Sequence, residues 1–246
     1  MAYRKLHYPP ELSGEALDGF LAEGWYRMNQ AIFTITHTFR ESRLDFCPVW
    51  WLRFPVGALE NHRSHARIRR RSQHLQVRLE SPFQIHPIYN ELYARYLAAV
   101  PFDGYTSIQE ALYGEGDPNM GTIYNSHAWV VSDGDKPVAV GIFDLGCSSA
   151  ASILHFYDPA YAGFSLGKYL MLLTVDYLRA LGCQWYYPGY VVCGDARFDY
   201  KLFLGRRQAS YFDPQLQSWQ PFREELLTYE ASNSEDWGQE MGDFLF

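Results

Sequence analysis

The chain has 246 residues, 48% of them hydrophobic and 17% aromatic, enough apolar side chain for a large core and for one or two domains. Its net charge is −7 but unevenly placed: residues 1–80 hold 12 Lys/Arg against 8 Asp/Glu, and the remainder holds 9 against 20. The total charge by itself argues against nucleic acid, while its distribution argues differently, and no apolar run approaches the roughly 20 residues of a membrane-spanning helix.

Residues 11–25 predict a helix with Leu12, Ala16, Leu17, Phe20 and Leu21 on its apolar face. Tyr26 to Phe39 holds Ile32, Phe33 and Ile35 near alternation and predicts a strand, and Cys47 to Val56 predicts a second. Residues 57–73 are basic, with Ser64-His65-Ala66 before Ile68 marking a helix start and with Arg63, Arg67, Arg69, Arg70 and Arg71 close together. A phosphate backbone feels such a local patch, not the total charge, within a Debye length of about 8–10 Å. Gln76 to Leu79 predicts a short strand, and His86 to Ala99 a helix with Ile88, Leu92, Tyr96 and Ala99 on one face. Gly114 to Gly121, with three glycines, Pro118 and two acids, predicts a mobile loop. Residues 127–131 and 137–143 predict strands joined by Asp133-Gly134-Asp135, a hairpin signal.

The most informative stretch comes next. A third strand, 151–157, closes at Asp158-Pro159, and Leu166, Tyr169, Leu170, Leu173, Tyr177 and Leu178 then recur at helical spacing. Ser165 stands as N-cap and Gly182 as the C′ residue, before a further apolar run from Trp185. Strand, glycine-bearing loop, helix, strand is a right-handed crossover unit. The first turn of its helix presents unpaired N–H groups that can hold a phosphate or a carbonyl oxygen. Arg197 to Leu204 predicts another helix, and Tyr211 to Phe222 a loop and short strand. The acidic tail, Ser232 to Phe246, reads as a frayed terminus or a docking peptide. Met1 to Pro10 holds no segment of signal-peptide type, and four scattered cysteines fit a reduced, cytoplasmic setting.

Four blocks, Phe156-Tyr157-Asp158-Pro159, Ser165-Leu166-Gly167-Lys168-Tyr169, Tyr187-Pro188-Gly189-Tyr190 and Tyr200-Lys201, together resemble the C-terminal half of aminoacyl-tRNA–protein transferases, the arginyl and leucyl transferases of N-end tagging. Upstream, Arg63-Ser64 with Arg67, Ile68, Arg70-Arg71 and Leu75 resembles that family's Ser/Arg-rich segment, and Tyr93-Ala94-Arg95-Tyr96-Leu97 its next helix. The resemblance spans about residues 20–225. It implies an α+β fold: a C-terminal half like the acyl-CoA N-acyltransferases (GNAT), preceded by an N-terminal α/β domain. The expected division is 1–85, 86–230 and a tail, 231–246. The implied activity is transfer of an amino acid, arginine or leucine, from aminoacyl-tRNA onto a protein or peptide amine, with the tRNA as co-substrate and no cofactor. One departure is clear: of the family's N-terminal cysteine cluster only Cys47 stands at a matching position, so no metal or iron–sulfur site is expected.

That reaction needs orientation and donors for a tetrahedral oxyanion. The N–H groups around Ser165, Leu166, Gly167 and Lys168 are the candidate donors, although Ser165-Leu166-Gly167 can equally do no more than cap a core helix. Asp144, at a strand end, is a candidate for binding the donor's ammonium or orienting the acceptor amine; its alternative is a surface-turn carboxylate. Tyr157, Tyr169, Tyr190, Tyr200 and Lys201 are candidate substrate contacts, the last two for phosphate or the terminal adenosine; as alternatives, Tyr190 is core and Tyr200-Lys201 an exposed helix pair. Arg63, Ser64, Arg67, Arg70, Arg71 and Lys168 are candidate tRNA contacts, against a solvated basic face. A zinc site on His62, His65 and Cys47 is disfavoured for want of a fourth ligand, and Cys193 reads as a buried thiol more than a nucleophile. Two other classes remain open. The first is an acetyl-CoA-dependent N-acetyltransferase, although glycines spaced by four in Ala162 to Gly167 count against a pyrophosphate cradle. The second is a non-catalytic relative that binds tRNA or protein.

Overall fold

A computed structural model describes residues 3–40, 45–100, 104–116 and 121–228. The acidic tail, and residues 117–120 of the expected loop, lie outside them. The chain runs β1 (Arg4–His7), α1 (Gly14–Ala22), β2 (Tyr26–Met28), β3 (Ala31–Ile35), β4 (His37–Arg40), β5 (Asp45–Pro55), α2 (Arg63–Arg71), β6 (Gln76–Glu80), α3 (Pro87–Leu97), α4 (Ile108–Tyr113), β7 (Ser126–Asp133), β8 (Lys136–Leu145), β9 (Ser149–Tyr157), α5 (Leu166–Ala180), β10 (Trp185–Val192), β11 (Ser210–Asp213) and β12 (Ser218–Pro221). No helix among the described residues is long and apolar enough to cross a membrane.

The strand expected over 26–39 is three strands, because Asn29 turns the chain in left-handed backbone (φ 53°) and a bend at Thr36 separates β3 from β4. The buried face of α3 is Tyr89, Leu92 and Tyr93, while Ile88 is 44% exposed. Residues 196–204 form a 3₁₀ segment in place of the expected α-helix, and a second, Pro159–Phe164, leads into α5.

A small sheet has the order β1-β3-β2. The main sheet has nine strands in the order β12-β11-β5-β10-β9-β8-β7-β6, with β4 on β5. Since β5 and β6 join β7–β12 in one sheet, a cut at residue 85 would divide that sheet, not separate two domains. Alternate residues face opposite layers. On one face, Phe143 and Tyr186 pack under Met171, Leu172, Val175 and Leu178 of α5. Gly141 permits the close approach of α5, since a Cβ there would lie 3.1 Å from Leu170. On the other face, Ala128, Val130, Val140, Ile142 and Phe156 pack against α3 and α4. Gly182 (φ 73°) ends α5 as expected.

The crossover β9-α5-β10 places the site. Among the described strands, β9 and β10 alone are parallel, and they pair only over Ser149–Ala151 with Trp185–Tyr187. Beyond that, β9 stays with β8 and β10 stays with β5, so the two strands part. In α/β sheets the crevice at the carboxyl ends of such strands is where ligands sit.

Candidate active site

The turn into α5 is anchored by Asp158. One of its oxygens accepts the Ala160 N–H at 3.1 Å; the other accepts Lys136 Nζ at 2.8 Å and lies 3.6 Å from Arg95. The hydrogen bond from Lys136 leads the effects that hold this carboxyl below the usual range. Ser165 then adopts left-handed backbone (φ 57°, ψ 45°), so its hydroxyl does not cap the helix. Its carbonyl instead accepts the Lys168 and Tyr169 N–H groups at 3.0 and 3.1 Å. The N–H groups of Leu166 and Gly167 have no hydrogen-bond acceptor among the described residues, which leaves two donors at the positive end of a 15-residue helix. A Cβ on Gly167 would lie an ordinary 3.9 Å from the Tyr157 ring, so the fold itself does not demand glycine there.

Where β9 leaves β10, a bulge changes which side chains face α5. The β8–β9 register shifts between Ile142 and Phe143, so Ile153 and Leu154 both lie against the α3 layer. Ser152 and His155 consequently point the same way, with Ser152 Oγ 3.3 Å from His155 Nε2 and 2.5 Å from the Tyr186 hydroxyl. Burial, then the nearby Lys201 charge, pushes the His155 imidazole down to about 4, against a hydrogen bond to the Gly167 backbone. His155 thus touches the first turn of α5.

The 196–204 segment closes the other side. Lys201 is 9% exposed, and its Nζ lies 4.7, 5.0 and 5.8 Å from the ring centres of Phe198, Tyr200 and Tyr190. Burial pushes this ammonium down to about 7, against the pull of Asp199 and Asp195. Tyr200 is 39% exposed, and burial within the cleft raises its phenol, as do Tyr96 and Tyr157. The Tyr157 ring rests 5.3 Å from that of Tyr96. Tyr190 stacks on Phe198 at 5.5 Å.

The basic run lies beside this cleft. Arg63, Ser64, Arg67, Arg70 and Arg71 are exposed on α2, whereas Arg69 is bound to Asp176 of α5 at 2.7 Å. Arg63, Arg67 and Arg70 recur at i, i+4, i+7 and so form one stripe about 10 Å long. Arg71 donates to the Gly163 carbonyl in the turn before α5. At the other end of α2, His65 Nε2 lies 3.0 Å from the Phe203 carbonyl, and Lys168 Nζ lies 5.3 Å from the Phe203 ring centre. The stripe therefore runs between the two segments that frame the cleft.

Two expected site residues fall elsewhere. Asp144 is 0% exposed and sits opposite Ala151, near the start of β9, so it lies about 17 Å along the strands from Tyr157. Its Oδ1 accepts Arg27 at 2.9 Å and Ser126 at 2.6 Å, a buried ion pair that leaves it no role at the α5 turn. Tyr169 is 8% exposed and packs with Leu75, Val131 and Leu166, because three residues after Leu166 the helix faces the core. Conversely, Ser152, His155, Tyr186 and Phe198 belong to the cleft without a local sequence signal.

A family model described as "Arginine-tRNA-protein transferase, C terminus" matches residues 89–209. An aspartate/glutamate leucyltransferase of Paracoccus denitrificans is 32% identical over 161 residues, 61% of this chain and 57% of that protein. The chain thus spans little more than half of that relative. Enzymes of the same name from Ruegeria pomeroyi and Leptospira interrogans are 27% and 25% identical, covering 82% and 80% of this chain and 74% of each relative. Among solved structures, L-PGS of Bacillus licheniformis matches with a TM-score of 0.41 at 10% identity (72% of this chain, 50% of that one). A GCN5-related N-acetyltransferase of Anabaena variabilis matches with a TM-score of 0.41 at 12% identity (85% and 43%).

Proposed function

Because the chain belongs to the aminoacyl-tRNA–protein transferase family, we propose that it transfers leucine from leucyl-tRNA to the α-amine of a protein or peptide. The observation that carries this reading is a convergence: two helix-start N–H groups without an acceptor among the described residues, a group of aromatic rings around Lys201 and an arginine stripe gather where β9 and β10 part. In this arrangement the phosphates of the acceptor end follow Arg63, Arg67 and Arg70, and the ester lies over Gly167. Attack by the amine turns the ester carbonyl oxygen into an oxyanion, which the Leu166 and Gly167 N–H groups stabilise. An α-amine with a pKa of about 7.7–8.0 is already partly neutral at cell pH, so orientation dominates the task.

Tyr157, Tyr190, Phe198 and Tyr200 give the donor side chain an apolar, aromatic surround, which suits leucine. Asp144, spent on Arg27, offers nothing to a guanidinium. One observation favours an arginyl donor instead: Asp199 Oδ1 is buried with no hydrogen bond among the described residues. The relatives' name implies an acceptor that begins with aspartate or glutamate, and the need for charged tRNA puts the protein in the cytoplasm.

Purified protein incubated with leucyl-, arginyl- and other charged tRNAs and an acidic N-terminal peptide is expected to add one leucyl residue to the peptide, read by mass. Acetylation from acetyl-CoA would instead identify an acetyltransferase. Binding of tRNA without transfer to any peptide would leave a non-catalytic relative.

A further inference from the structure

The sequence treats Lys201 as a cation for phosphate, but its surroundings suit a different task. Gly189 sits at the β10 register shift with φ 101°, and a Cβ there would lie 3.3 Å from Lys201 Cε. Its N–H leaves the sheet and donates to the Tyr26 hydroxyl at 2.7 Å. The bulge therefore makes room for the lysine stem beside the strand. The amine ends among three rings, and no described residue bonds it or pairs with it. The charged and titratable groups around it are Asp195 and Asp199 on its own segment, Tyr200 next to it, Tyr190 on β10 and His155 on β9. Asp195 is already bound by Arg40 and Arg197. Burial disfavours the ammonium while the three ring faces favour it, so the amine is held near a balance between its charged and neutral forms, as a group that takes and returns a proton requires.

We propose that Lys201 is the proton shuttle of the transfer, a role that rests on the aminoacyl-transfer reading of the cleft. The acceptor nitrogen attacks the ester carbon and forms the C–N bond; the neutral Lys201 amine takes the proton that this nitrogen must shed. The resulting ammonium then gives that proton to the ribose oxygen as the C–O bond breaks. Lysine ends as it began, and the products are the extended peptide and uncharged tRNA.

The test compares wild type, Lys201→Met and Lys201→Arg with leucyl-tRNA and an acceptor peptide. Arginine keeps the cation but cannot give up its proton at neutral pH. Both variants are expected to lose kcat by about 10²-fold or more, the usual range for general acid–base work, with KM for charged tRNA nearly unchanged. Wild-type kcat is expected to rise with pH through about 7. That limb should hold its place when the acceptor's α-amine pKa is altered, a readout that needs no variant. Wild-type kcat in Lys201→Arg, or a limb that follows the acceptor's pKa, would overturn the shuttle while leaving the transferase reading intact. A wild-type protein that transfers from no charged tRNA would overturn both.

Discussion

Gly167→Ala separates folding from function at the start of α5. The added methyl would stand 3.9 Å from Tyr157 Cε1, a normal contact, so it meets no clash. Gly167 has ordinary helical backbone, and replacing a helical glycine by alanine stabilises by up to about 1 kcal/mol, less near a helix end. For a chain of this size the melting temperature should therefore hold or rise by about 2–4 °C at most. The same methyl occupies the space between the helix start and the Tyr157 ring, where the proposed position of the ester lies against two N–H groups. Alanine keeps the N–H, so the loss comes from holding the ester off it; an oxyanion donor put out of reach costs about 10²–10³ in kcat, roughly 2.7–4 kcal/mol. The assay is single-turnover transfer from leucyl-tRNA to a peptide, run beside a thermal melt. A stable variant with wild-type kcat would refute the placement of the ester over Gly167.

Replacing Arg63, Arg67 and Arg70 together by alanine should weaken tRNA binding and flatten its log–log salt slope by about 2–3, at 0.7–0.9 per phosphate contact; an unchanged slope in a binding titration would remove the stripe from the interface. Asp144→Asn should destabilise by about 3–5 kcal/mol in urea unfolding, because the buried Arg27 guanidinium loses its counter-charge, yet leave kcat of the folded fraction intact. For His155, whose folded value is about 4 against 6.5 unfolded, the unfolded chain binds the extra proton, so stability falls as pH drops through that window. Wild type should lose roughly 2 kcal/mol more than His155→Gln between pH 7 and 5; parallel urea midpoints would contradict the burial of that ring.

The crossover unit was legible because α5 carries a long 3.6-residue repeat ended by Gly182, and the hairpin β7–β8 because Asp133-Gly134-Asp135 marks its turn. These signals are local. Asp144 misled because its partner, Arg27, lies 117 residues away, and nothing near a strand-end aspartate announces a buried ion pair. Ser152 and His155 were invisible as a pair for a geometric reason. Three residues apart on a regular strand they face opposite ways, and only a bulge, seen in the β8 register, turns them together. Tyr200-Lys201 stood out by resemblance, but the burial that lowers the lysine, beside Phe198, Tyr190 and the bulge at Gly189, is assembled only by the fold.

The most direct test of the site is a structure of the protein with a stable analogue of the charged end, leucine joined to the terminal adenosine by an amide in place of the ester. The analogue's carbonyl oxygen should lie about 3 Å from the Leu166 and Gly167 nitrogens, with its nucleotide phosphates leading toward Arg70. An analogue seated elsewhere, or one whose carbonyl points away from the start of α5, would contradict the account.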